Sequence, residues 1–167
     1  AHYLRLLEAV ADAPTRTLAE LARVEETWPQ PALLPADPRE RARVRAYAAL
    51  IGCDIHPIQN LSVLQHVKNE YGQDAEGVQA WARHWITRGL TALEAMAQAD
   101  ARGGPYLWGN TPTMADIYLV PQLYNARRFG VDLGPWPTLA RIEQACLALP
   151  AVKAAAPEAQ PDAPTGA

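Results

Sequence analysis

The stretch TPTMADIYLVPQLYNARR, residues 111–128, constrains the fold of this chain more than any other. Thr113 can cap a helix, and Asp116, three residues later, can return a bond to the cap backbone. The continuation places Ile117, Leu119, Val120, Leu123 and Tyr124 on nearly every side of the helix predicted over residues 113–129. A helix apolar most of the way round has to lie in the middle of other elements. Those elements are helices too: alanine dominates the composition, and Val, Ile, Thr and Phe do not gather into strand-like runs. The fold class that follows is all-α, a bundle of about five main helices around a buried one.

The surrounding helices are legible from their start signals and periodicity. PQPALLPADP, residues 29–38, concentrates four prolines and reads as an extended connection. Asp37 as N-cap, Pro38 at the first position and Glu40 behind it open a helix bearing Val44, Tyr47, Ala48 and Ile51 at spacings of three and four. Arg39, Arg41, Arg43 and Arg45 read as its solvated or partner-facing side. The next stretch, DIHPIQNLSVLQ at residues 54–65, puts Pro57 where a helix should run and follows it with Gln59, Asn60 and Ser62. Proline removes a helical donor and clashes with the turn before it, and small polar residues compete for backbone bonds. A second helix resumes over 58–70, the longest runs over 76–99, and the last regular one spans 138–149. Residues 1–27 read as one or two helices interrupted at Pro14, and the alanine- and proline-rich tail from Lys153 is expected to run loosely over the surface.

Composition excludes several functions. A net charge of −3 offers no basic field for nucleic acid. No apolar run of the ~18 residues that a membrane span requires occurs, and the start lacks a secretory layout, so a cytoplasmic location is expected. Cys53 and Cys146 lack metal-ligand spacing and are expected to be buried free thiols. No histidine or acidic cluster suggests a metal site. The tryptophans and Met96 sit at helical spacings and are assigned to the core, and Thr113 and Asp116 to folding.

Six segments together resemble the zeta-class glutathione transferases, which include maleylacetoacetate and maleylpyruvate isomerases: EETWPQPALLPADPRERARVRA, CDIHPIQNLSVLQ, HWITRGLTALE, YLWGNTPTMADIYLVPQLYNARRFGVDL, PTLARIEQACLALPA and PEAQPDAPT. The likeness runs from about Glu25 to Thr165. It implies a glutathione-transferase C-terminal helical domain and a glutathione-dependent cis–trans isomerisation of a maleyl keto-acid in aromatic-compound catabolism. In that chemistry glutathione thiolate adds to the alkene, the resulting single bond rotates, and elimination returns the thiol. The reaction needs a lowered thiol pKa and cations or donors for the substrate carboxylates, and no metal. The resemblance also assigns the break its purpose: His56, Asn60, Leu61 and Ser62 correspond to glutathione-binding positions, with His56 where relatives often carry Gln. Arg128 corresponds to the arginine that meets a substrate carboxylate, a task suited to its planar fork. Arg127 reads as a solvated neighbour.

The family places a thioredoxin-like domain, with an SSCSWR-type thiol-activating motif, before the helical one, and this chain contains no such motif. Residues 1–28 are therefore expected to hold a remnant of the end of that domain plus an unmatched N-terminus, 29–37 a linker, and 38–167 the helical domain. Where relatives carry Gln-Ser or Glu-Ser for the γ-glutamyl end of glutathione, this chain has Arg16 and Thr17; Thr17 keeps a hydroxyl and is included among the glutathione-binding candidates. The expectation is an incomplete isomerase, inactive or weakly active alone, and by family a homodimer. Two alternatives are a non-enzymatic helical module for dimerisation or partner binding, and a general glutathione transferase.

Overall fold

The computed structural model describes residues 22–100, 102–161 and 163. Thr17, Arg16, Pro14 and Thr165 lie outside the described residues. Among the described residues the architecture is all helical: α1 (Pro38–Ala49), α2 (Leu61–Glu70), α3 (Ala75–Asp100), α4 (Met114–Arg128), α5 (Pro137–Leu147) and the short α6 (Pro150–Ala154), with no named strand. A helical segment over residues 22–27 precedes them.

α4 is the centre of the bundle, as its composition requires. It packs against α1 on one side and α5 on the other, and buries Met114, Ala115, Ile117, Tyr118, Leu119, Leu123 and Ala126. Its start is over-determined. The Asp116 carboxylate accepts from the backbone N–H groups of Thr113 and Leu107, each at 2.8 Å, and from the Thr113 hydroxyl at 2.9 Å. The Met114 N–H donates to the Leu33 carbonyl at 2.8 Å. Thr113 and Asp116 thus serve the fold, as expected. Burial nevertheless pushes the Asp116 carboxyl up, against those bonds.

The proline-rich connection is built into the core. Leu33 and Leu34 are buried, and their N–H groups donate to the buried Glu25 carboxylate at 2.8 and 3.3 Å. Asp37 accepts from the N–H groups of Arg39 and Glu40 at 2.9 and 3.0 Å and so opens α1. The arginine-rich side of α1 is only partly solvated. Arg43 donates to Asp100 of α3 at 2.5 Å beside the Tyr47 hydroxyl, which reaches the same carboxylate oxygen at 2.6 Å; Arg41 reaches the Pro35 carbonyl.

Three expectations are corrected. Cys53 is exposed, on the outer side of the turn that follows α1, while Cys146 is buried and its thiol is pushed up to about 12 by burial. Trp28 is exposed rather than core, because it ends the first helical segment on the rim. The tail is also ordered further than its composition suggested: α6 and a 3-10 turn (Pro157–Ala159) fold back on the bundle. Gln160 holds that return by donating to the Ala154 and Ala156 carbonyls at 3.1 Å, and Tyr124 by donating to Glu158 at 2.8 Å.

Candidate functional site

The break after α1 is a graded change of helix type. α1 runs without interruption into a π-helical turn (Leu50–Ile55), then a 3-10 turn (His56–Gln59), and only then α2. The reason lies in Pro57, whose ring would collide with the carbonyl four residues back in a regular helix. Widening to a π-turn relieves that conflict: the His56 N–H reaches back five residues to the Ile51 carbonyl. Short π segments of this kind recur at functional sites.

α3 supports the break from behind. The Trp81 indole N–H donates to the Ile58 carbonyl at 2.9 Å, occupying an acceptor freed by the kink. Ile55 packs directly onto Gly89, where an added Cβ would stand 2.2 Å from Ile55 Cγ1. On the other side Gly52 does the same for α4: a Cβ there would come within 2.8 Å of Tyr118 Cε1. Two glycines therefore let the π-turn settle between α3 and α4.

A cleft of about 410 Å³ opens where the break meets the end of α4. Ile51, Gly52 and His56 form one wall; Tyr118, Gln122, Asn125 and Arg128 another; and the returning tail, from Val152 to Glu158, the third. His56 is half-buried, and burial lowers its pKa below the ordinary 6.5, so the imidazole is neutral at pH 7. The two adjacent arginines divide their duties. Arg127 forks onto the buried Glu143 of α5, with one bond at 2.6 Å, which corrects its reading as a merely solvated neighbour. Arg128 is exposed on the cleft and makes no ion pair among the described residues.

Asn60, Leu61 and Ser62 stand at the head of α2. Asn60 Oδ1 accepts from the Val63 N–H at 3.1 Å and from the Ser62 hydroxyl at 2.7 Å. One side of each polar group is thereby committed to capping, and none of the three lines the cleft. The Asn60 amide nitrogen makes no hydrogen bond among the described residues, and Leu61 is 71% exposed. Of the described glutathione-binding candidates, His56 lines the cleft, beside Ile51 and Gly52 of the π-turn. Sequence reasoning missed Tyr118, Gln122 and Asn125; their spacing of four and three on a helix read as wholly core was the available signal. No group of residues able to hold a metal ion occurs among the described residues.

This arrangement has close counterparts. No protein-family model matches the chain. A maleylpyruvate isomerase from Ralstonia is 47% identical over 156 residues, covering 93% of this chain and 74% of the relative. A maleylacetoacetate isomerase from Pseudomonas aeruginosa is 48% identical over 141 residues, covering 84% and 64%. Among solved structures, a holo maleylpyruvate isomerase described as a bacterial zeta-class glutathione transferase superposes with a TM-score of 0.86 at 48% identity, covering 89% of this chain and 70% of that one. The maleylacetoacetate isomerase of Anaeromyxobacter dehalogenans with bound glutathione gives 0.83 at 48% identity, covering 89% and 66%.

An all-helical bundle of this topology, with a kinked entry helix beside its central one, is the helical domain of a glutathione transferase. The chain belongs to the zeta-class family of maleylpyruvate and maleylacetoacetate isomerases. It spans about two thirds to three quarters of the length of those two relatives.

Proposed function

We propose that this chain supplies the helical part of a glutathione-dependent cis–trans isomerase acting on a maleyl keto-acid. The observation that carries the reading is the single cleft that brings His56, from the break, together with Arg128, from the end of α4. When bound, glutathione would supply a thiol that adds reversibly to the substrate alkene.

The residues present suit such a peptide-like cofactor. The neutral His56 can donate from one ring nitrogen and accept at the other. The Asn60 amide nitrogen is an unspent donor. The N–H groups of Leu61 and Ser62, in the first turn of α2, have no intrahelical acceptor and suit a carboxylate. Thr17 adds a hydroxyl by correspondence with the family. Arg128 binds and orients a substrate carboxylate, and the apolar lining from Val120, Pro121 and Leu147 excludes water from the carbon chain.

Residues 1–28 then correspond to the end of a thioredoxin-like domain with an unmatched N-terminus, 29–37 to the linker and 38–167 to the helical domain. A cytoplasmic homodimer is the assembly the family reading favours, with maleylpyruvate or maleylacetoacetate as substrate.

Glutathione titration of the purified chain, followed by calorimetry and by tryptophan emission, tests the reading. Saturable binding in the millimolar range or tighter is expected. A folded chain that binds no glutathione at several millimolar would sink the proposal of a usable half-site at the break.

A further inference from the structure

The wall of the cleft contributed by α4 carries chemistry that a carboxylate-binding arginine does not explain. Tyr118, Gln122 and Asn125 follow one another at four and three residues, so they share one stripe of the helix. All three line the cleft. The Tyr118 hydroxyl, both amide atoms of Gln122 and Oδ1 of Asn125 are closed to solvent and have no hydrogen-bond partner among the described residues. Gln122 is only 1% exposed. Leaving such an atom unpaired is costly, and native proteins rarely leave several together. Gln59 is also unpaired among the described residues but does not line the cleft.

We infer that Tyr118, Gln122 and Asn125 hold the uncharged oxo and enol oxygens of the substrate and so determine its specificity. The unpaired buried atoms comprise two donor groups, the Tyr118 O–H and the Gln122 NH2, and two amide acceptors, Gln122 Oε1 and Asn125 Oδ1. A simple dicarboxylate could use none of the acceptors, and an apolar electrophile could use neither kind. A 1,3-diketone matches, because its enol form shows one carbonyl acceptor and one hydroxyl donor side by side. Arg128 follows Asn125 by three residues, one turn further along α4, and takes a carboxylate of the same molecule. Because these atoms are closed to solvent, the ligand has to displace the side chains that cover them, and the amides then turn to meet it about their soft terminal torsions. Gly52 is part of the device, since only a residue without Cβ leaves the Tyr118 ring its place.

The inference rests on the isomerase reading above, and the experiment separates the two. The chain and its Tyr118→Phe and Gln122→Met variants are titrated, with glutathione present, against acetylpyruvate and against succinate, and their melting temperatures recorded. Each variant should bind acetylpyruvate at least about tenfold more weakly, as expected for one hydrogen bond lost at Tyr118 and up to two at Gln122 in a dry site. Succinate affinity should stay within about twofold, and the melting temperature should hold or rise, because an unpaired buried atom is gone. Unchanged acetylpyruvate affinity overturns the inference. So does an equal loss for both ligands with a lower melting temperature, the result expected if the stripe only holds ordered water. A parent chain that binds succinate but not acetylpyruvate also overturns it and leaves the isomerase reading standing. A parent chain that binds neither ligand removes that reading and the inference together.

Discussion

Single residues decide what the cleft can bind. Arg127 lines the cleft beside Arg128 but is spent on Glu143, whereas Arg128 makes no ion pair among the described residues, and such an uncommitted fork-shaped cation is an open carboxylate site. Arg128→Leu is expected to weaken succinate binding by about 10- to 100-fold, the range for one lost charge-assisted pair, with little change in melting temperature; calorimetry and a thermal melt check both. His56 gives the site a pH dependence. Burial holds it below 6.5, so the unfolded chain takes up its proton more readily. Stability contributed here is present above about pH 6.5 and declines as pH falls below it. His56→Gln should flatten that part of the stability curve between pH 8 and 5 while leaving the neutral plateau in place. Much of this scale was legible beforehand: His56 stood out as the histidine beside Pro57, and Arg128 as one of two cations ending a buried helix. Which arginine was free could not be read, because Glu143 lies on another helix and reaches Arg127 only through the packing of α5 on α4.

At the level of elements, the break is held by what it rests on. Pro57 announced that the helix must change course, but the π-turn and the 3-10 turn that carry out the change depend on tertiary partners. Gly89 is the clearest of them, since Ile55 occupies the space its side chain would fill. Gly89→Ala should therefore cost about 1–3 kcal/mol by overpacking, in spite of alanine's better helix propensity. Because the displaced segment carries His56, glutathione affinity should fall in the same variant; denaturant unfolding and calorimetry together distinguish this from a local effect on α3. The existence of all five long helices, and the central place of α4, could be read from apolar periodicity and capping signals. The ends given for α3, α4 and α5 differ by one or two residues, and the head of α2 by three. There the sequence reading starts the helix at Ile58, but Ile58 and Gln59 belong to the 3-10 turn and Asn60 caps the helix that follows. The tail was misjudged because composition does not reveal a return path fixed by Gln160 and Glu158.

For the molecule as a whole, the link between α1 and the far end of α3 sets the acid limit. Partial burial pushes Asp100 up, but the bonds from Arg43 and Tyr47 and the charges of Arg43 and Arg102 outweigh it and hold the carboxyl below 3.8. A depressed carboxylate contributes stability above its unfolded value and loses it as pH falls through the folded one. The chain should accordingly lose stability as pH drops below about 4, and Asp100→Asn should be less stable at pH 7 yet show a shallower decline in acid; urea unfolding from pH 7 to 2.5 measures both. None of this network was visible in the sequence, because Arg43 read simply as one of four surface arginines and its partner is 57 residues away.

The bond from the Trp81 indole to the Ile58 carbonyl has an optical consequence. Indole emission responds to the field around its N–H, so this ring is a lamp wired to the backbone of the break. Any ligand that tightens or loosens the turn will shift the colour of that light, and a Trp81→Phe chain, blind at that position, would show how much of the signal came from there.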